Sequence, residues 1–217
     1  STVSRVQNGK AKITQETHEK IYSAMKQLDY HPNSVARNLA NGLSGAIGVV
    51  VDAKDAEAFS NVFFSRSLFA IERAAQLRGY NVIIANGGSH SGNAVESLVL
   101  QKKVDGLILP PSTAKPALIQ KIGDFPLVIL GQPDTGRLCA SWVDNNNEQG
   151  AELAVEHLYL KGYEKIAYLG GDRKLGFVER RIKGYLNALR KDAPGIIVTC
   201  ESVPEQACLA GMSMLSS

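Results

Sequence analysis

Apolar positions recur along this chain in two rhythms. Between Thr14 and Leu28 they fall at Ile21, Ala24, Met25 and Leu28, with Glu19, Lys20, Lys26 and Gln27 at the other positions. That i, i+3, i+4, i+7 spacing is one face of an α-helix. Thr14 stands where an N-cap hydroxyl would accept from a first-turn N–H, Glu16 suits the positive end of the helix dipole, and Pro32 forbids continuation past Tyr30. From Ala46 the rhythm changes to short continuous apolar runs: AIGVVV (46–51), NVIIA (81–85), GLILP (106–110) and PLVIL (126–130). Helical stretches separate them, best seen where Phe64, Leu68, Ile71 and Ala75 share a face. Strands without alternation, spaced by helices, predict a parallel sheet covered on both sides. The pattern restarts at SWVDNNNEQG: a strand ending at Val143, a polar turn, a helix through Leu153, Val155, His157 and Leu158, the strand KIAYLGG (165–171), a helix over 180–190 and the strand GIIVT (195–199). The expected organisation is therefore a small N-terminal unit over 1–45, one α/β lobe over 46–142 and a second, incomplete α/β lobe over 143–217.

Two short segments flank the predicted helix of the N-terminal unit. Residues 1–8 put Val3 and Val6 on one side and Ser1, Thr2, Ser4, Arg5 and Asn8 around the rest. This makes a poor core helix and a good groove helix: small hydroxyls allow close approach to a duplex, arginine pairs with guanine and asparagine with adenine. Residues 33–40 place Val35, Ala36 and Leu39 together, with Arg37 and Asn38 beside them. A helix shorter than about 12–15 residues is marginal alone in water, so this segment should order only against a partner. A minor groove would serve, with Leu39 as an apolar wedge and Arg37 on a phosphate or base edge.

Charge sharpens that reading. The net charge is +3, and of 24 Lys/Arg and 21 Asp/Glu, six and three fall within residues 1–41, leaving eighteen of each sign beyond. The whole excess lies where phosphate attraction would use it. The 217 residues, 44% hydrophobic, suffice for one or two packed cores, and the longest apolar runs are strand-sized rather than the ~20 residues of a membrane span. Neither a signal peptide nor a membrane partner is expected. Three cysteines, Cys139, Cys200 and Cys208, without CxxC spacing point to a reducing cytoplasm.

Chemistry beyond DNA contact should sit past the carboxyl ends of the strands, where open α/β sheets bind ligands. Asp52 follows AIGVVV, with Phe63 and Phe64 opening the next helix; Asp172 follows KIAYLGG, with Arg181 on the helix beyond; Asp144 and Gln149 follow the strand ending at Val143. Carboxylates and an arginine fork bonding hydroxyls, with aromatic faces against a ring, suit a sugar. Asp144 within DNNN is by default a turn or N-cap residue. NGGSHSGN (86–93) fits neither GxGxxG nor a Walker loop and reads as a turn. His18, His31, His90 and His157 lack metal-ligand spacing, and Ser112 and Ser141 have no GxSxG context, so no metal, cofactor or enzyme activity is expected.

TVSRV, then Asn8, then an amphipathic helix ending in LDYHPN, then SVARNLA, together resemble the LacI/GalR family of bacterial transcriptional regulators. The resemblance covers the whole chain. It implies a partial helix-turn-helix with its recognition helix at TVSRV and a hinge helix over 33–40, the leucine at Leu39 wedging into the operator minor groove. A periplasmic-binding-protein-like (type I) two-lobed parallel-sheet sensor would follow. It also implies truncation at both ends, because Ser1 falls inside the helix-turn-helix and Ser217 before the second lobe closes. Candidate DNA-binding residues are Ser1, Thr2, Ser4, Arg5, Asn8, Lys12, Thr14, Asn33, Ala36, Arg37 and Leu39. Candidate effector-binding residues are Asp52, Phe63, Phe64, Asp144, Gln149 and Arg181, where Arg181 in ERRIKGY matches the family's effector arginine and Phe63-Phe64 its aromatic pair. The implied protein is a cytoplasmic homodimeric repressor of a palindromic double-stranded operator. FSNVFFSRSLFAIE, VILGQP and WVDNNNEQG look most like regulators of maltose and other glucoside use, which implies a sugar effector. A nucleobase corepressor would fit the same fold, and the other function open to it is a periplasmic-type sugar-binding transport protein without DNA binding.

Overall fold

The structure, a computed structural model, describes residues 14–30, 38, 41–51, 62–87, 91–133, 140–201 and 204–215. The chain divides into two units, Ser1–Ser44 and Gly45–Ser217. In the first, helix α1 runs Gln15–Gln27. Ile21 and Met25 are half-buried and form its inner stripe, while Ala24 and Leu28, expected on the same face, are exposed. Thr14 occupies the N-cap position in extended conformation, but the expected hydroxyl-to-backbone bond is not made. Its Oγ1 lies 2.9 Å from Thr17 Oγ1 instead. The helix ends before Pro32 has any say. Asp29 takes a left-handed φ of 48°, and the Tyr30 N–H reaches back to the Met25 carbonyl at 2.9 Å, a Schellman closure.

In the second unit, β1 (Ala46–Val51), β2 (Asn81–Asn86), β3 (Gly106–Leu109), β4 (Leu127–Leu130) and β5 (Ser141–Val143) form one sheet in the order β2-β1-β3-β4-β5, every pairing parallel. Helices α2 (Val62–Gln76), α3 (Ser91–Leu100) and α4 (Pro116–Ile122) supply the connections. The core gathers Val50, Leu107, Leu109 and Ile129 from the strands with Val95, Leu98 and Leu118 from the helices. The central position of β1 explains why AIGVVV is apolar without alternation: five of its six residues are buried, so both faces are covered. Of the predicted face of α2, Ala75 is buried and Phe64, Leu68 and Ile71 are half-buried. Helix α3 begins at Ser91, inside the stretch read as a turn.

The strand expected to open the second lobe belongs to the first sheet. Ser141, Trp142 and Val143 pair with Val128, Ile129 and Leu130, because an exposed edge of β4 offers a full parallel ladder to the next strand. The chain leaves that sheet only after Val143. Helix α5 (Asn147–Leu160), strand β6 (Ala167–Gly170), helix α6 (Gly176–Ala188), strand β7 (Ile196–Thr199) and helix α7 (Pro204–Leu215) then follow, with β6 and β7 paired in parallel. Helix α6 starts a turn earlier than its apolar spacing suggested. Tyr185 pins this part together: its buried hydroxyl donates to the Ile166 carbonyl at 2.8 Å and accepts from the Ile196 N–H at 3.0 Å. Helices α5 and α6 meet so closely at Gly184 that a methyl group there would be driven into the Glu148 backbone.

Two outcomes test these packing arguments. Helix α3 closes as α1 does, with Lys103 N–H on the Leu98 carbonyl at 2.9 Å and Lys102 at a φ of 51°, a conformation that costs an L-residue roughly 1–2 kcal/mol. Lys102→Gly is therefore expected to raise the unfolding free energy from urea titration by about 1 kcal/mol once the entropy of glycine is deducted. Gly184→Ala should lower it by about 1–3 kcal/mol through overpacking; an unchanged midpoint would show that α5 and α6 can separate freely.

Candidate functional site

Strand order reverses between β1 and β3, and open parallel sheets of this kind take ligands beyond the carboxyl ends of their strands. Two strands deliver polar groups there. At the end of β4, Gly131 has a φ of 115°, and a Cβ on it would lie 2.9 Å from Pro111 Cγ. Only glycine turns the chain there without strain. At the end of β5 stands Asp144, whose side chain is 11% exposed. It accepts from the Gln132 N–H at 3.0 Å, the Asn145 N–H at 2.7 Å and the Asn147 side-chain amide at 3.3 Å to each oxygen. Arg180 Nη2 on α6 stands 3.5 Å away and also donates to the Gln132 carbonyl at 3.3 Å. A charge removed from water needs several donors, and here the donors come from the ends of β4 and β5, from α5 and from α6 together.

Asn147 joins Asp144 to the neighbouring arginine. It is only 6% exposed, its Nδ2 also donates to the Asn145 carbonyl at 3.1 Å, and its Oδ1 accepts from Arg181 Nε at 2.8 Å. The Arg181 guanidinium carbon lies 5.0 Å from the centroid of the Phe177 ring, one turn earlier on α6, within cation–π range. Burial pushes the Tyr168 phenol above its ordinary value of 10, the nearby Arg181 charge opposing that rise and Glu179 adding to it. Half-buried Tyr168, partly exposed Phe177 and Arg181 thus form an amphipathic corner beside the end of β6.

The structure brings Asp144 and Arg181 of the predicted residues into one network, through Asn147. Gln149 is engaged at the start of α5: its N–H donates to Asn146 Oδ1 at 3.1 Å and its Oε1 accepts from Asn146 Nδ2 at 3.3 Å, a reciprocal cap. Asn146, not Asp144, is therefore the N-cap. Asp172 accepts from the Lys174 N–H at 2.9 Å and shapes a turn. Phe63, 56% exposed, and Phe64, half-buried, lie on the first turn of α2. Asp52, Ser1, Thr2, Ser4, Arg5, Asn8, Lys12, Asn33, Ala36, Arg37 and Leu39 lie outside the described residues. Gln132, Asn147, Tyr168, Phe177 and Arg180 escaped sequence reasoning. Phe177 had a legible signal, since its i, i+4 spacing to Arg181 stacks the two on one helix face.

Residues 44–217 match the family described as periplasmic binding proteins and sugar binding domain of LacI family, and residues 1–33 match bacterial regulatory proteins, lacI family. The chain belongs to the LacI family. This LacI-family chain is 35% identical over 194 residues to the HTH-type transcriptional regulator MalR of Streptococcus pneumoniae, covering 88% of the chain and 58% of that protein. It is 31% identical over 204 residues to the ribose operon repressor of Halalkalibacterium halodurans, 93% and 59% of the respective lengths. Among solved structures, the Lac repressor dimer bound to operator and the anti-inducer ONPF superposes with a TM-score of 0.77 at 28% identity, covering 99% of this chain and 66% of that one. The parallel α/β architecture expected from the sequence is thus the family fold, although the chain spans under two thirds of each of these relatives.

The network and the phenols predict separate behaviours. Asp144→Ala leaves Arg180 and the Gln132 N–H without their shared acceptor and is expected to cost about 2 kcal/mol or more in chemical unfolding. Arg173→Ala, which breaks the solvent-exposed pair with Glu179, should leave the midpoint essentially unchanged. Burial raises both Tyr168 and Tyr185 above 10, so the unfolded chain releases these protons first. Their contribution is fully present below about pH 10 and is lost as pH climbs through the folded-state values. Ultraviolet titration should show both phenols ionising together with alkaline unfolding; Tyr168→Phe and Tyr185→Phe titrating like the parent would refute this.

Proposed function

We propose that this chain forms the operator-reading and effector-sensing parts of a transcriptional repressor that acts as a dimer on double-stranded DNA. One observation carries the reading: a single chain matches a regulatory family over residues 1–33 and a sugar-binding sensor family over residues 44–217. A transport protein built on the same clamp accounts for the second match and not the first. The domain reading is a DNA-binding part over 1–45 with hinge 33–40, one lobe over 46–142 and a second over 143–217, Val143 itself still pairing in the first sheet.

In this reading Ser1, Thr2, Ser4, Arg5 and Asn8 meet base edges and phosphates, supported by Lys12 and Thr14, and two copies lie in successive major grooves of a palindrome. Residues 33–40 with Asn33, Ala36, Arg37 and Leu39 enter the minor groove between them. An eight-residue helix is too short to hold alone, so a modest change in the sensor suffices to withdraw it. Coupling of about 1–3 kcal/mol between the two sites would change operator affinity by roughly 5- to 150-fold.

The effector is a sugar, a maltose-like glucoside, bound past the strand ends by Arg181, with Asp52, Phe63, Phe64, Asp144 and Gln149 as further contacts. Supporting this are the presence of MalR among the relatives and the Arg181–Phe177 pair, which offers hydrogen-bond donors next to an aromatic face, the combination that sugars engage. Reaction with a substrate plays no part in this function.

A mobility-shift assay on a palindromic duplex, selected from random sequences by the protein itself, tests both halves. Leu39→Ala and Arg5→Ala are expected to weaken the shift at least tenfold, and maltose to alter it in the parent but not in Arg181→Ala. Equal shifts by parent and both DNA-site variants would remove the repressor reading.

A further inference from the structure

We infer that Asn147 is the positioning residue for Arg181, acting as a neutral acceptor whose orientation is dictated by Asp144. This rests on the reading that Arg181 meets the effector. Two adjacent arginines on α6 have opposite fates. Arg180 is drawn to a carboxylate, with Nη2 3.5 Å from Asp144 and only 24% of its side chain exposed. Arg181 is held through Nε by an amide oxygen at 2.8 Å. Holding it by an amide rather than a carboxylate fixes the plane of the guanidinium without neutralising it. One of its five N–H donors is engaged, and the terminal nitrogens keep the full charge for charge-assisted bonds to ligand oxygens.

The amide cannot turn over in place. Its NH2 donates to both Asp144 oxygens at 3.3 Å and to the Asn145 carbonyl at 3.1 Å. A flip would set the amide oxygen against that carboxylate and carbonyl and turn the NH2 toward Arg181 Nε, so each of these contacts would become repulsive. The same Asp144 that binds Arg180 thus sets, through Asn147, the direction in which Arg181 points. A ligand selecting this site would be rich in hydroxyl or other uncharged oxygen acceptors able to accept from a fixed fork.

The test uses the side-chain Nε–H of Arg181, observed by nitrogen-15 NMR in the ligand-free protein and assigned with Arg181→Lys. In the parent its hydrogen exchange should be slowed at least tenfold relative to that of a solvent-exposed arginine. Asn147→Ala should abolish the slowing, and Asp144→Asn should reduce it. Parent-like exchange in a folded Asn147→Ala would overturn the assignment. Should Asn147→Ala fail to fold, Asp144→Asn decides by the same criterion: parent-like exchange overturns the role given to Asp144 and the amide it orients. Calorimetric titration with maltose is the separate arm. Arg181→Ala binding maltose like the parent would remove the effector reading, and the exchange result would still decide what orients Arg181.

Discussion

The carboxylate of Asp144 is the constraint around which the joint that follows the first sheet is built. It sits at the end of the last strand of the first sheet, nearly out of water, where an unmatched charge would be costly. Every group that satisfies it comes from a different piece of the joint: the backbone leaving β4, the turn after β5, the first residue of α5 and a side chain of α6. Each therefore has to be present in its place for the charge to be tolerated. That is a reason for the crossover to hold one geometry, stronger than the pairing of its short strands alone.

Close approach of α5 and α6 makes this geometry reachable. Because residue 184 has no side chain, the backbone of α6 can come up against the Glu148 turn, and that proximity lets Arg181 span to Asn147 at the start of α5. Across the same seam Lys183 lies 2.9 Å from Glu148, and the Asn187 amide donates to Glu148 and Glu152. These exposed contacts contribute little each. Their effect is to keep the two helices in register, and the bond from Arg181 to Asn147 depends on that register.

Elements that follow from local chemistry were legible in the sequence. AIGVVV marks a central strand from end to end, and the spacing of Phe64, Leu68, Ile71 and Ala75 identifies the inner face of α2. What escaped depends on partners far apart in the chain. Gln132, Asn147 and Arg180 are ordinary polar residues in a polar turn and a charged helix; only the fold brings 132 against 144 and 180, or 147 against 181. Thr14 shows the converse limit: its position was read correctly, but its hydroxyl had a second partner available in Thr17. The ending of α3 at Lys102 was hidden because sequence reasoning looks for glycine at a left-handed position. In the site, Arg181 was visible as a candidate and its support was not, since support is a property of contacts.

The consequence for sensing follows from where the joint lies. A ligand changes a conformational equilibrium only by the difference in its affinity for the two states. Arg181 lies on the same helix as Arg180, and Arg180 is bonded to the outgoing backbone of β4, so the helix cannot rotate relative to the first sheet without moving the guanidinium that would meet the ligand. Two oxygen acceptors held by that fork and by the first sheet at once would therefore be sensitive to the angle between sheets at the level of a hydrogen-bond length. Geometry with tolerance that narrow converts a small rotation into a difference of one or two charge-assisted bonds. At about 1.5–3 kcal/mol each, such a difference is of the size that regulatory coupling requires.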